Sequence, residues 1–178
     1  MTPDQQKFPI GQFEKPMVIS QAVLSKWIDD IATFPARLNN AVKNLSNEQL
    51  NTPYRQGGWT IRQVVHHCAD SHINSLTRFK LCLTEEKPTI KPYLEDRWAE
   101  LADSKNLSIS PSLKMLEGTH ERWVALLNSL TNHDLAKTFV HPEHNKEFRL
   151  DENIGLYAWH CNHHLAHITT LKQRQNWI

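Results

Sequence analysis

The amino-acid sequence predicts an all-α protein, an antiparallel four-helix bundle in one domain. Three observations carry that expectation. Apolar residues recur at spacings of three and four in four separate runs, the period of a helix that buries one face. Prolines, glycines and capping residues punctuate those runs at their ends. Only one stretch, Lys137 to Leu150, alternates in the manner of paired strands.

Residues 1–18 carry Pro3, Pro9 and Pro16 without a period, and the expectation is an extended arm over the surface. A helical run opens at Ser20, with Val23, Leu24, Trp27, Ile28 and Ile31 on one face. Pro35 is expected to kink or interrupt it, because proline has no N–H and crowds the preceding turn. Leu38, Ala41, Val42 and Leu45 continue the period, and Ser46 to Gln49 can start an extra turn. Asn51 to Trp59, with Pro53 and Gly57-Gly58, reads as a loop.

Thr60 followed by Gln63 has the form of a capping box and opens a helix to about Leu83. Its stripe is Ile61, Val64, Val65, Cys68, His72, Leu76 and Phe79. Glu85 to Ser110 is a long connection that includes a possible short helix from Leu94 to Leu101. A connection of that length in a compact domain is usually functional or packed on itself. Ser110-Pro111 reads as a cap and a first-turn proline for a third helix marked by Leu113, Leu116, Trp123, Leu126, Leu127 and Leu130. Phe139, Val140, Phe148 and Leu150 flank the turn residues Pro142 to Lys146, which suggests a small hairpin. Asp151 is expected to cap the last helix, which ends near Gln175.

Composition excludes several functions. A length of 178 residues suits one domain with a real core. A net charge of +1 leaves no electrostatic footprint for nucleic acid or an anionic membrane. No apolar run approaches a membrane span, and the N-terminus lacks the apolar centre of a signal peptide. Cys68, Cys82 and Cys161 are odd in number and widely spaced, which fits a reducing, cytoplasmic setting. With five glycines there is no phosphate-cradling loop.

The chemistry-bearing stretch is in the last helix, where His160, His163, His164 and His167 place four of the eleven histidines within eight residues. At about 100° per residue they share an arc of roughly 100°. With His160 at 0°, the stripe of Leu156, Tyr157, Leu165, Ile168 and Leu171 centres near +50° to +60°. His164 lies inside the stripe at about +40° and His160 lies at its edge, whereas His167 and His163 fall near −20° and −60°. His160 and His164 are therefore the expected buried pair, and His163 and His167 the outer neighbours. Two imidazoles one turn apart can reach a single ion.

A stable catalytic site needs a third ligand. On the second helix His72 lies about 10° from the centre of the apolar stripe, whereas His67 shares a polar column with Thr60, Ser71, Asn74 and Arg78. Periodicity leaves both open. His66 is expected at the surface or behind the ligands, and His120, His133, His141 and His144 in solvent. Asp70 and Glu152 are candidate general bases. Asp70, Asn74 and Asp151 are candidate partners for the ligands' second ring nitrogens. Trp59, Trp123, Trp159, Cys68 and Cys161 read as packing residues.

Two segments carry a family resemblance. Gly57-Gly58-Trp59-Thr60-Ile61-Arg62-Gln63-Val64-Val65-His66-His67 resembles the second-helix opening of the DinB/YfiT-like superfamily. Trp159-His160-Cys161-Asn162-His163-His164-Leu165-Ala166-His167 resembles its last-helix signature. The resemblance is nearest the YfiT-type branch, provisionally described as metal-dependent hydrolases. It runs nearly the whole chain, including Arg78-Phe79-Lys80 and Leu83-Thr84-Glu85-Glu86. It implies a four-helix bundle with one divalent metal ion, zinc or nickel, held by His67, His160 and His164. His72 then becomes a packed or supporting residue. The implied activity is hydrolysis of a small-molecule substrate by activated water. Transfer of a low-molecular-weight thiol of the bacillithiol type, and non-catalytic metal binding in a stress response, are the alternatives. A homodimer is the implied assembly.

Overall fold

The computed structural model describes residues 1–143 and 146–177; His144 and Asn145, in the turn of the expected hairpin, and Ile178 lie outside the described residues. The elements in order are α1 (Pro3–Lys7), α2 (Gln21–Val42), α3 (Asn47–Leu50), α4 (Ile61–Thr84), α5 (Glu95–Trp98), α6 (Ala102–Asn106), α7 (Ser110–Asn128), α8 (Asn132–Leu135), β1 (Thr138–His141), β2 (Lys146–Arg149) and α9 (Leu150–Arg174). The long helices α2, α4, α7 and α9 form the expected four-helix bundle, and β1 pairs antiparallel with β2, Phe139 opposite Phe148.

The helices are not arranged in chain order, and, contrary to the antiparallel bundle the sequence predicts, not every seam is antiparallel. Around the bundle the order is α2, α9, α4, α7, so α2 and α4 are diagonal, as are α7 and α9. His67 beside His160 and Ser71 beside Tyr157 make α4 and α9 antiparallel. His66 beside Ser112 and His72 beside His120 make α4 and α7 parallel. Trp27 beside Gly155 and Ala41 beside Lys172 make α2 and α9 parallel. A parallel neighbour requires the chain to return the length of the bundle before the next helix starts. This explains the long connection between α4 and α7, which also runs beside β1: Ile90 N–H donates to Val140 O at 3.0 Å and Val140 N–H to Pro88 O at 2.9 Å.

Local chemistry sets the ends. Thr60 and Gln63 make the capping box at α4, and Ser46 and Gln49 make another at α3. The buried Arg62 guanidinium donates to Asn51 Oδ1, Asn47 Oδ1 and Leu107 O, tying α3 and the end of the long connection to α4. Trp123, Phe34, Phe79, Phe139, Leu116 and Ile154 are fully buried, each contributing about 1.5–3 kcal/mol by removal from water.

Four further expectations are corrected. The N-terminal arm is not extended throughout: Thr2 and Gln5 form a capping box that starts α1. Pro35 does not interrupt α2; the carbonyl it leaves without a helical donor, Ile31 O, accepts instead from His120 Nδ1 at 2.7 Å. Asp151 is in the first turn of α9 rather than at its cap, where it pairs with Arg149 at 2.7 Å and accepts from Glu152 N–H at 2.8 Å. Ser110 is likewise the first helical residue of α7, with Ile109 at the cap.

The α2–α9 contact depends on Gly155, where a Cβ would lie 2.7 Å from Trp27 Cη2. Gly118 on α7 has nothing within 4 Å of the same position. Alanine gains about 1 kcal/mol of helix propensity at either site, but overpacking costs about 1–3 kcal/mol. Gly155→Ala is expected to lower the thermal midpoint and Gly118→Ala to raise it. A midpoint raised by both substitutions would show that the two helices have room to spare.

Candidate metal centre

The antiparallel seam between α4 and α9 brings together the three histidines singled out by the resemblance. His67, His160 and His164 each offer a ring nitrogen within 4.8 Å of the others. The Thr60–Gln63 box sets the start of α4 about two turns before His67, and Gln63 Nε2 donates to Ala99 O at 2.8 Å, fixing the connection against the first turn. His160 and His164 follow one turn apart on α9, with ring centroids 4.4 Å apart. Gly57, at φ 65°, turns the preceding loop so that Trp59 lies over the His67 ring at 4.6 Å between centroids.

His67 Nε2 and His160 Nε2 are 3.2 Å apart. Two imidazole nitrogens bound to one tetrahedral ion at about 2.0–2.1 Å lie about 3.4 Å from each other. The spacing and the all-nitrogen donor set therefore fit a divalent zinc- or nickel-type ion. Burial lowers His67 to about 3, with His167 adding to the shift, and holds His160 and His164 well below the ordinary histidine range. Ring nitrogens that stay unprotonated at neutral pH are what ligation requires.

His72 is fully buried and both its ring nitrogens are engaged, Nε2 with His160 Nδ1 at 3.0 Å and Nδ1 with His120 Nε2 at 2.7 Å. It sits behind His160, and one ring nitrogen each of His72 and His120 and the Cys161 Sγ form a separate group of potential ligand atoms within 4.8 Å of one another. Asp70, Asn74 and Asp151 make no hydrogen bond to these histidines among the described residues; the second nitrogen of His160 goes to an imidazole.

Burial of the histidines departs from the expectation: His160, expected in the buried pair with His164, is only partly buried, and several others are more buried than the sequence suggests. His120 is 1 % exposed, where solvent was expected, and burial lowers it to about 4. His66 is also buried, held by Ser112 Oγ at 2.7 Å and Leu107 O at 3.3 Å on the α7 side. His163 and His167 are not at a rim: Lys7 O accepts from His167 Nε2 at 3.0 Å, Tyr54 stacks on His167 at 3.8 Å, and Phe8 faces His163. A helical wheel has no term for a covering segment remote in sequence. His133 is exposed, as expected, and His144 lies outside the described residues.

Two cavities meet at His160. One, of about 460 Å³, is lined by Trp59, His67, His160 and His164. The other, of about 570 Å³, is lined by Ser71, Arg78, Tyr93, Asn153 and Tyr157 as well as His160. Its walls are the long connection and the β1–β2 hairpin. Glu95, in α5, lines both. The residue as a whole is exposed, but partial desolvation of its carboxyl, reinforced by Asp96 and Glu143 and offset in part by Arg78, raises it above the ordinary carboxylate range. Neither Asp70 nor Glu152 lines either cavity. Nothing in the local sequence marks Glu95; its one signal is its place in a connection too long to be idle.

The chain and its fold have known counterparts. The DinB superfamily model matches residues 31–168. A protein of Bacillus mycoides (strain KBAB4) is 56% identical over 171 residues, 96% of this chain and 98% of its own. One of Bacillus cereus (strain 03BB102) is 57% identical over the same length and shares. Both carry the provisional name of metal-dependent hydrolase. The solved structure of YfiT from Bacillus subtilis superposes with a TM-score of 0.95 at 48% identity, covering 98% of this chain and 99% of that one. That protein is provisionally described as a metal-dependent hydrolase with an unusual four-helix bundle topology. Among the described residues no helix is long and apolar enough to cross a membrane. By sequence match, by near-complete overlap with these relatives and by its non-consecutive bundle, this chain belongs to the DinB superfamily.

Proposed function

We propose that this protein is a metal-dependent hydrolase in which His67, His160 and His164 hold one divalent ion, zinc or nickel. The observation that carries the reading is the 3.2 Å approach of two Nε2 atoms in a cluster whose three potential ligands are all imidazoles. The names of the relatives point the same way. When bound, such an ion supplies Lewis-acid polarisation and lowers the pKa of water toward about 7.

The chain's own residues supply the rest. The cavity of about 570 Å³ receives a small-molecule substrate with its electrophilic carbon at the His160 end. Asn153 Nδ2 and Arg78 Nε, on residues that line this cavity, are buried with no acceptor among the described residues, so a substrate reaching them carries oxygen acceptors. Trp59 excludes water from the His67 side. Glu95 takes the proton from attacking water and returns it to the leaving group, a role that suits a carboxyl shifted toward neutral pH.

Elemental analysis is expected to find about one divalent ion per chain. His67→Ala and the pair His160→Ala, His164→Ala are each expected to lose most of it. Full occupancy in the double variant would sink the assignment. Turnover of ester or amide probes by metal-loaded protein then tests the reaction. Activity with water alone supports hydrolysis, and activity only with an added thiol would replace it with thiol transfer. Glu95→Gln is expected to keep the metal and lose about 10²–10⁴-fold in turnover.

The histidines also set a pH dependence. Unfolded, each titrates near 6.5. Folded, burial lowers His67 and His163 to about 3, and His120 and His167 to about 4. Folded values below unfolded ones mean that the unfolded chain binds more protons in that window. Stability is then complete above about pH 6.5 and falls as pH drops toward 4, by about 1.4 kcal/mol per pH unit for each such histidine. The thermal midpoint of metal-stripped protein should be markedly lower at pH 5.5 than at 7.5. Equal midpoints would show that these rings are not held neutral by the fold.

A further inference from the structure

Pro35 has no N–H, so the carbonyl of Ile31, four residues earlier in α2, lacks its helical donor. That carbonyl starts a line of hydrogen bonds through the bundle. His120 Nδ1 lies 2.7 Å from Ile31 O, His72 Nδ1 lies 2.7 Å from His120 Nε2, and His160 Nδ1 lies 3.0 Å from His72 Nε2. The line crosses three helix seams, α2 to α7, α7 to α4 and α4 to α9.

A carbonyl can only accept, so His120 carries its proton on Nδ1. A neutral imidazole has one donor and one acceptor, so His120 Nε2 accepts and His72 donates from Nδ1. The same rule makes His72 Nε2 the acceptor and His160 Nδ1 the donor. His160 Nε2 is left with a lone pair, and this is the atom 3.2 Å from His67 Nε2. The opposite polarity would set the lone pair of His120 against that of Ile31 O across 2.7 Å. A helical N–H at position 35 would compete for Ile31 O and draw it along the helix axis, away from α7.

We infer that Pro35, His120 and His72 are positioning residues for His160. The carbonyl freed by Pro35 sets one tautomer along three imidazoles, so that His160 presents Nε2 unprotonated to the centre it shares with His67 and His164. The purpose of the device rests on the metal-centre reading, but the tautomer pattern does not. The terminal acceptor is a neutral carbonyl rather than a carboxylate, so it orients the line without drawing a proton onto it.

Two measurements on the full chain test this. Nitrogen-15 NMR of histidine-labelled, metal-stripped protein reads which ring nitrogen of His72, His120 and His160 carries the proton. Competition with a chromophoric chelator reads zinc affinity. Wild type is expected to show the Nδ1–H tautomer at all three. His120→Phe removes donor and acceptor, and is expected to weaken zinc binding about 10–100-fold and to release the His160 tautomer. His120→Gln, whose amide can donate to Ile31 O and accept from His72, is expected to restore most of the affinity. Pro35→Ala is expected to raise the thermal midpoint of the metal-stripped protein, because a helical hydrogen bond returns, while weakening zinc binding. A mere packing defect would lower both together. Wild-type zinc affinity in both His120→Phe and Pro35→Ala, or a proton on Nε2 of His160 in wild type, would overturn the inference. If wild type takes up no zinc the metal reading fails, and the tautomers still decide the relay.

Discussion

A neutral imidazole can give one hydrogen bond and take one, and three rings at the centre of this bundle are arranged around that rule. His120, His72 and His160 follow it in series, each ring answering the one before, from a backbone carbonyl on α2 to the inner face of α9. Desolvation keeps the rings neutral, and neutrality in turn makes the polarity of the line unique. Fully satisfied buried polar chains are rigid because every alternative leaves a group unpaired in a medium of low polarity. The same burial that costs stability in acid thus holds the ring nitrogens of His67, His160 and His164 unprotonated, as the proposed ligation requires.

The order of helices around the bundle follows from the same centre. Placing α9 between α2 and α4 sets His160 against His67 and His72 on one flank and Gly155 against Trp27 on the other. Parallel neighbours demand long returns, and the return from α4 to α7 brings Glu95 and Tyr93 to the cavity beside His160. The β1–β2 hairpin closes the opposite wall. Segments that contribute little to the bundle's core therefore build the space in which a substrate would sit. The near-complete overlap with the Bacillus relatives indicates that this arrangement belongs to the scaffold.

Much of the fold was legible in the sequence because it depends on local chemistry. The four apolar runs, the Thr60–Gln63 box and the Phe139–Phe148 hairpin are all set by spacing and capping within a few residues. The closeness of His160 and His164 was legible too, since one helix turn suffices to bring their rings together, although the apolar stripe overstated the burial of His160. The sequence by itself also determined that Ile31 would lack a helical donor, because proline at 35 has none to offer.

What answers that missing donor only the tertiary structure decided. Nothing near Pro35 or His120 in the chain says that they meet, since their contact is between helices whose relative placement is set by the whole core. The positions of His67 and His72 relative to α9 have the same origin. Periodicity orients a side chain about its own helix, but which neighbour it faces depends on how α4 is rotated and placed against α9. His163 and His167 look peripheral on a wheel and are buried by Tyr54 and the segment after α1. Local propensity reaches a few residues, whereas burial is the sum of every segment that folds over a site, and so burial is settled only when the chain is complete.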